Sequence, residues 1–298
     1  MFNDGVININ KPQGWTSQDV CAKLRNRLKI RKIGHTGTLD PMATGVLPIC
    51  IGKATRIIEY YDKDLKTYHS IMQLGIVTDT LDITGKIIES KSFDFLNDDI
   101  IYQAFRSYQG TIKQVPPKYS ALKINGKRAY ELARDGKDVK LSSREVFIKS
   151  NTVESIDWNK GTIEFSVTCS KGTYIRTICD DIGRELGCGA AMKSLIRTES
   201  GYFNIKESTD ILRLIEMSDE KIKELIIPME RTLFNLGKIL LDDNRVVAFQ
   251  NGNSSSENCF KIIEDSKFCN LYKIYFSDKF IGVGEIKKGE IYPIKVIM

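Results

Sequence analysis

The sequence predicts an α+β fold in two parts, a larger body at 1–238 and a small β-rich domain at 239–298. Three observations carry that prediction. Strand-like and helix-like stretches are interleaved in mixed order, without the regular βαβ alternation of a parallel sheet. The 298 residues suit about two domains at roughly 150 residues each. Beyond Lys238 the pattern changes to short strands joined by tight polar turns.

Taken in order, Gly5-Val6-Ile7-Asn8-Ile9-Asn10 alternates apolar and polar like a half-buried strand, and Lys11-Pro12-Gln13-Gly14 stops it. A helix follows, with Thr16 and Ser17 as natural N-caps, Asp19 in the first turn, and Val20, Leu24 and Leu28 recurring every four residues. Residues 34–45 hold three glycines, a proline and three threonines, which predicts an ordered loop. Residues 46–51 then read as a buried strand. Further strands are expected at 67–74, 119–124, 146–153, 162–170 and 192–198, and helices at 98–109, 128–135, 175–186 and 208–216. In the last part the expectation is a short helix at 244–250, a polar patch at 251–258, and strands at 271–276, 280–285 and 291–297.

Composition excludes several classes. With 42% hydrophobic and 28% charged residues, 22 Gly and 7 Pro, the chain is neither disordered, collagen-like nor a disulfide scaffold. Residues 1–4 do not open a leader sequence, and no apolar run approaches the ~20 residues that span a bilayer, so a cytoplasmic protein is expected. The 7 cysteines, at 21, 50, 169, 179, 188, 259 and 269, are too scattered for a zinc knuckle or a CxxC pair. The 2 histidines, His35 and His69, cannot make a three-histidine metal site. No Gly-Lys pair precedes Ser or Thr, so a P-loop is missing too. The expectation is an activity needing neither metal nor any other cofactor.

The net charge of +6 is unevenly placed. Residues 11–60 carry nine Lys/Arg against Asp19, Asp40 and Glu59, and residues 101–130 carry six Lys/Arg and no acid. Two basic segments on a mildly acidic body point to a partner with a phosphate backbone. Ordinary solvated helix faces would give the same count. Lys23 and Arg25 on the first helix, with Lys123, Lys127 and Arg128, are the candidate footprint.

The loop at 34–45 is the stretch best suited to chemistry, because Asp40 stands there before Pro41 in a Gly/Thr-rich turn. By itself Asp-Pro also suits a simple turn. A carboxylate without a metal or histidine partner can still act as nucleophile or base if a fixed cation orients it, and Arg176 in Lys171-Gly172-Thr173-Tyr174-Ile175-Arg176 is the candidate cation. Tyr68 and Tyr174 fit an aromatic platform or a packed core equally well, and His35 fits either a turn or a base stack.

The string GHTGTLDPMATGVLPICIGKATR resembles the signature of the TruB family, the bacterial tRNA pseudouridine-55 synthases. The likeness extends to NINKPQGWTS, TYHSIMQLGIVTDTLDITG, VPPKYSALKINGKRAYELARDGK and CSKGTYIRTICDDIG, covering most of residues 5–200 in order. The resemblance implies a mixed-sheet pseudouridine-synthase domain followed by a small RNA-binding domain of PUA type. It implies Asp40 as the essential aspartate, Tyr68 as the active-site tyrosine with a proton-transfer role, and Arg176 as the aspartate's partner. Leu195 is implied as the apolar contact to uracil, with Tyr174 beside the substrate. His35 is implied to fill the space of the extruded base, and Lys11 with Pro12 to border the cleft.

The reaction implied is isomerisation of the T-loop uridine of tRNA at position 55, by a monomer, without cofactor or guide RNA. A non-catalytic RNA-binding protein or folding chaperone would need the basic segments but not Asp40, and a guide-RNA-dependent relative would share the signature. Met42 stands where family members often have Leu. Residues 239–298 carry eight Lys/Arg against eight Asp/Glu, so a small electrostatic share of RNA binding is expected there.

Overall fold

In the computed structural model, Met1, Ala121, Asn125, residues 136–140, Phe268, Cys269 and Met298 lie outside the described residues, as do the side chains of Lys123, Tyr130, Ala133 and Arg134. The first strand, Gly5–Lys11, lies antiparallel to Thr44–Ile51. Between them runs the helix Ser17–Leu28, whose start is fixed by a capping box: Asp19 N donates to Thr16 Oγ1 and Thr16 N to the Asp19 carboxylate. Val20, Cys21, Leu24 and Leu28 are its buried face.

These strands belong to a ten-stranded mixed sheet. Its main path runs Thr209–Asp210, Gly5–Lys11, Thr44–Ile51, Ala190–Ser200, Lys66–Leu74, Thr162–Cys169, Arg144–Asp157 and Gly110–Gln114, with Ile33–His35 and Phe203–Asn204 added at the side. Ala190–Ser200 is central. It is parallel to Thr44–Ile51, with Arg197 opposite Gly45, and antiparallel to Lys66–Leu74, with Arg197 opposite Tyr68. Gly45 holds φ 101°, and a Cβ there would lie 2.3 Å from the Arg197 carbonyl oxygen, so only glycine fits. The helix Ile175–Glu185 buries Ile175, Ile178, Cys179 and Ile182 in the same core as Met72, Phe165 and Leu195.

From Gly237 the chain forms a six-stranded sheet ordered Ser255–Ser256, Glu290–Val296, Lys279–Lys287, Leu271–Phe276, Gly237–Leu241 and Phe260–Glu264. Ile239, Phe249, Ile274, Ile281 and Ile291 make its core. Val283 of this sheet and Ile297 just past its last strand share a further apolar cluster with Ile57, Tyr60, Met229 and Leu233, and Lys295 pairs with Glu59 at 2.8 Å. The curled sheet is therefore seated on the body by buried contacts.

Several elements differ from expectation, the unforeseen strands Gly110–Gln114, Gly237–Leu241 and Phe260–Glu264 among them. Tyr119 and Ser120 are not in a strand; among the described residues of the expected span 119–124 only Lys123–Ile124 is, paired with Lys127–Arg128 as a small hairpin. The Tyr119 carbonyl instead accepts from Arg176 Nη2 at 3.1 Å, which holds that backbone to the site rather than to a sheet. The helix expected from 208 begins at Ile211, because Thr209–Asp210 pairs with the first strand and Asp210 Oδ1 caps Leu212 N at 2.7 Å. The 3₁₀ segment Gly52–Lys63 was not expected. Its buried Ala54, Ile57 and Tyr60 recur every third residue, a period that neither the helical nor the strand pattern recognises.

Candidate active site

The loop carrying Asp40 joins the strands Ile33–His35 and Thr44–Ile51, and it is held from several sides. Ser17 Oγ accepts from Leu39 N at 2.9 Å. Gly14 N and Lys11 Nζ both donate to the Pro41 carbonyl, at 2.8 and 3.3 Å. Ala43 N donates to the Asp40 carbonyl at 3.0 Å, so Asp40-Pro41-Met42-Ala43 is a turn as well as the carrier of the carboxylate.

Arg176 projects from the first turn of its helix, 5% exposed, and its Nη2 lies 2.8 Å from Asp40 Oδ2. Its Nη1 donates to the Thr80 carbonyl at 3.1 Å and lies 3.6 Å from Asp82 Oδ2. Asp82 is itself buried, accepting from Thr84 N at 3.0 Å and Thr80 Oγ1 at 2.9 Å. One guanidinium is thus shared by two carboxylates, and only Asp40, 34% exposed, is open to a ligand.

A cavity of about 370 Å³ opens beside the pair, within the size range of small-molecule sites. Asp40, Tyr68, Tyr174, Arg176 and Leu195 all line it. Burial raises the Tyr68 phenol above its ordinary value, with Arg197 acting against the rise, so the hydroxyl is protonated at neutral pH. Tyr174 is locked by Gln114 through two hydrogen bonds, Tyr174 N to Oε1 at 2.8 Å and Nε2 to the Tyr174 carbonyl at 3.0 Å. The Arg144 guanidinium stacks 4.9 Å over its ring and donates to the Gly172 carbonyl. Lys66, Arg144, Lys171, Arg176 and Arg197 also contribute to the walls, so the cavity is electropositive and suited to a phosphate-bearing ligand.

Other expected site residues lie elsewhere. Lys11 is fully buried behind the loop and donates to the carbonyls of Pro12, Trp15 and Pro41, so it shapes the loop and does not face the cavity; burial pushes its amine down to about 8. His35 sits next to the cavity lining, not in it; burial, then Arg197, lower its pKa, leaving the ring neutral. Arg25 bonds the carbonyls of Arg31 and Ile33 at 3.2 Å each, which ties down the turn after the helix and removes it from the open footprint. Lys23, Lys127 and Arg128 are exposed, while the Lys123 side chain lies outside the described residues.

Sequence reasoning missed Asp82, Arg144, Lys66 and Arg197. Asp82 stands inside TDTLDITG and Arg197 two residues after Leu195, the strand period that places both on one face. Arg144 and Lys66 gave no local signal. A second, more open depression, lined by Phe93, Asp98, Asp99 and Trp158, contains none of these residues. Among the described residues, no three His, Cys, Asp or Glu are placed to hold a metal, and no helix is long and apolar enough to cross a membrane.

Residues 25–175 match the TruB family pseudouridylate synthase N-terminal domain, and residues 176–234 match the tRNA pseudouridylate synthase B C-terminal domain. The tRNA pseudouridine synthase B of Clostridium kluyveri is 43% identical over 298 residues, covering 99% of this chain and all of that protein. The tRNA pseudouridine synthase B of Clostridioides difficile is 42% identical, covering 95% of this chain and 94% of that one. Among solved structures, a Cbf5-Nop10-Gar1 complex matches with TM-score 0.77 and 28% identity over 99% of this chain and 85% of that one. An H/ACA RNP bound to a substrate RNA containing 2'-deoxyuridine matches with TM-score 0.75 and 26% identity over 99% of this chain and 85% of that one.

Proposed function

Since the chain belongs to the TruB family of pseudouridylate synthases and is a tRNA pseudouridine synthase, we propose that it isomerises the T-loop uridine at position 55, with Asp40 as its essential carboxylate. The observation that carries this reading is the Asp40–Arg176 pair at 2.8 Å on the wall of a cavity shared with Tyr68 and Leu195.

Chemistry on a base in a folded loop requires its extrusion, at a cost of a few kcal/mol, which aromatic stacking offsets by ~1–3 kcal/mol per base. Tyr68 and Tyr174 supply aromatic surface in the cavity, Leu195 supplies the apolar contact to the ring, and neutral His35 takes the vacated place outside it. Asp40, held in place by Arg176, acts either as nucleophile at C1′ or as base at C2′. The N1–C1′ bond breaks, the uracil turns, and C5 bonds to C1′, displacing the Asp40 carboxylate from C1′ in the first case, or with Asp40 returning its proton to C2′ in the second. The C5 proton then leaves and N1 ends protonated, so atoms and electrons balance without a co-reactant. Tyr68, protonated and beside Asp40, serves the proton transfer.

Exposed Lys23, Lys127 and Arg128 lie toward the RNA backbone, residues 239–298 form the PUA-like RNA-binding domain, and the enzyme acts in the cytoplasm as a monomer. A guide-dependent reading has one observation in its favour, the likeness to Cbf5 assemblies. The 43% identity to a tRNA pseudouridine synthase B over the full chain favours action without a guide.

The experiment is to incubate the chain with an unmodified tRNA transcript, without guide RNA, and map pseudouridine chemically. One modified base at position 55, lost with Asp40→Asn, is expected. Modification elsewhere, or a requirement for added guide RNA, overturns the proposal.

A further inference from the structure

Arg197 lies in the central strand Ala190–Ser200 and is the cross-strand partner of Tyr68 on one side and of Gly45 on the other. Its side chain is 1% exposed. Nε donates to the Val46 carbonyl at 2.6 Å and Nη2 to the Gly37 carbonyl at 3.2 Å. The Gly37 carbonyl stands near the start of the loop that carries Asp40 and the Val46 carbonyl in the strand just past its end, so one planar fork ties both flanks of the loop to the strand beside Tyr68. The loop runs alongside it: a Cβ at Gly37 would make an ordinary 3.6 Å contact with Arg197 Nη1.

Among the described residues no carboxylate lies within ion-pair distance of Arg197. A buried cation without an acid is costly, and an apolar side chain of similar volume would fill a strand interior more favourably. The charge is therefore held by carbonyl dipoles at a place where it acts on the site. It faces Tyr68 together with Cys169 and Asp40, and its field also reaches His35, Lys11 and Lys66.

We propose that Arg197 is the positioning residue of this enzyme, fixing the Asp40 loop against Tyr68 and so setting the separation of the two reacting side chains. The proposal rests on the pseudouridine-synthase reading above. Arg197 need not touch substrate; it acts through Asp40 and Tyr68.

The test compares the full-length parent with Arg197→Lys and Arg197→Gln in steady-state turnover of an unmodified tRNA transcript, together with amide hydrogen exchange of the free protein. A misplacement of about 1 Å costs on the order of 100-fold in rate, so Arg197→Lys is expected to lose about that much kcat with KM nearly unchanged. Exchange should quicken at residues 36–45 and not across the sheet. Arg197→Gln, which also removes the charge, should move the alkaline limb of the kcat profile to higher pH, whereas Arg197→Lys should leave it in place. If Arg197→Lys does not fold, Arg197→Gln, planar and able to donate to one carbonyl, carries the kinetic and exchange readouts. Near-parental kcat in the folded variants, or exchange rising throughout the sheet with KM and kcat lost together, overturns the proposal. A parent that makes no pseudouridine would overturn the functional reading instead, and exchange at 36–45 would still decide whether Arg197 holds the loop.

Discussion

Asp40 and Arg176 meet at 2.8 Å with very different access to solvent, the arginine 5% exposed and the aspartate 34%. The cation is kept from swinging away because the Thr80 and Tyr119 carbonyls and the Asp82 carboxylate engage its two terminal nitrogens as well. The carboxylate is thereby oriented while one side of it remains open to the cavity. A surface ion pair would not hold that orientation, since solvent and side-chain freedom would average the geometry away.

Asp40→Asn keeps the shape and removes the charge. Turnover should fall by about 10³-fold or more while tRNA affinity stays nearly parental, since a group acting in the transition state affects kcat before binding. Parallel single-turnover and filter-binding assays check this, and appreciable turnover by the variant would rule out the assigned role.

Asp82→Asn leaves Asp40 and Arg176 in place but removes the second carboxylate from the guanidinium. Loss of that support should lower kcat by about 10- to 100-fold with little change in KM, as expected when an orienting group is lost. Equal loss in kcat and tRNA affinity would place Asp82 in folding instead.

Lys127 and Arg128 are exposed on the small hairpin. If both meet phosphates, Lys127→Gln and Arg128→Gln should each reduce the slope of log K against log salt by about 0.7, the single-strand value. An unchanged slope removes the hairpin from the footprint.

Asp64 is buried, and burial raises its carboxyl to about 6 despite Lys66 and the hydrogen bond from Asn235. A carboxyl with a folded value above its unfolded 3.8 binds protons more tightly in the native state. Its contribution is therefore favourable at low pH and is lost as pH rises from about 4 through about 6. The loss is about 3 kcal/mol at most, from 1.36 kcal/mol per unit. Denaturant titrations of parent and Asp64→Asn at pH 4.5 and 7.5 should show the parent gaining relative stability at the lower pH. The opposite slope would contradict the burial argument.

Gly45→Ala places a methyl 2.3 Å from the Arg197 carbonyl oxygen at φ 101°. Destabilisation of about 3 kcal/mol or more is expected, from strain and overpacking together. A melting temperature within 2–3 °C of the parent would show that the loop and the central strand can move apart cheaply.

The sequence was informative where chemistry is local. Thr16 and Asp19 stand three residues apart and cap one helix by themselves. Alternation in 5–10 and 162–170 gave strands that differ from the observed ones by a single residue at one end. The Gly/Thr-rich run around Asp40 marked an ordered loop carrying a carboxylate. It was less informative where a residue's meaning depends on what lies opposite. Lys11 reads as a border of the cleft and Arg25 as basic surface, yet both are drawn onto backbone carbonyls by neighbours that hydropathy does not encode. Tyr119 reads as strand, but its carbonyl is claimed by an arginine 57 residues later.

By itself, then, the sequence determined the mixed α+β class, the capped first helix, and the Asp40 loop with its likeness to one enzyme family. These rest on spacings of a few residues and on strings of motif. Only the tertiary structure decided that Arg176 is shared between Asp40 and Asp82. It alone decided that Arg197 bridges to Val46 across 151 residues of chain, and that Asp64 is buried against Asn235. A charged side chain carries no mark of whether it will be buried. That is set by the carbonyls, carboxylates and glycines that strand register brings against it, and register is a property of the assembled sheet.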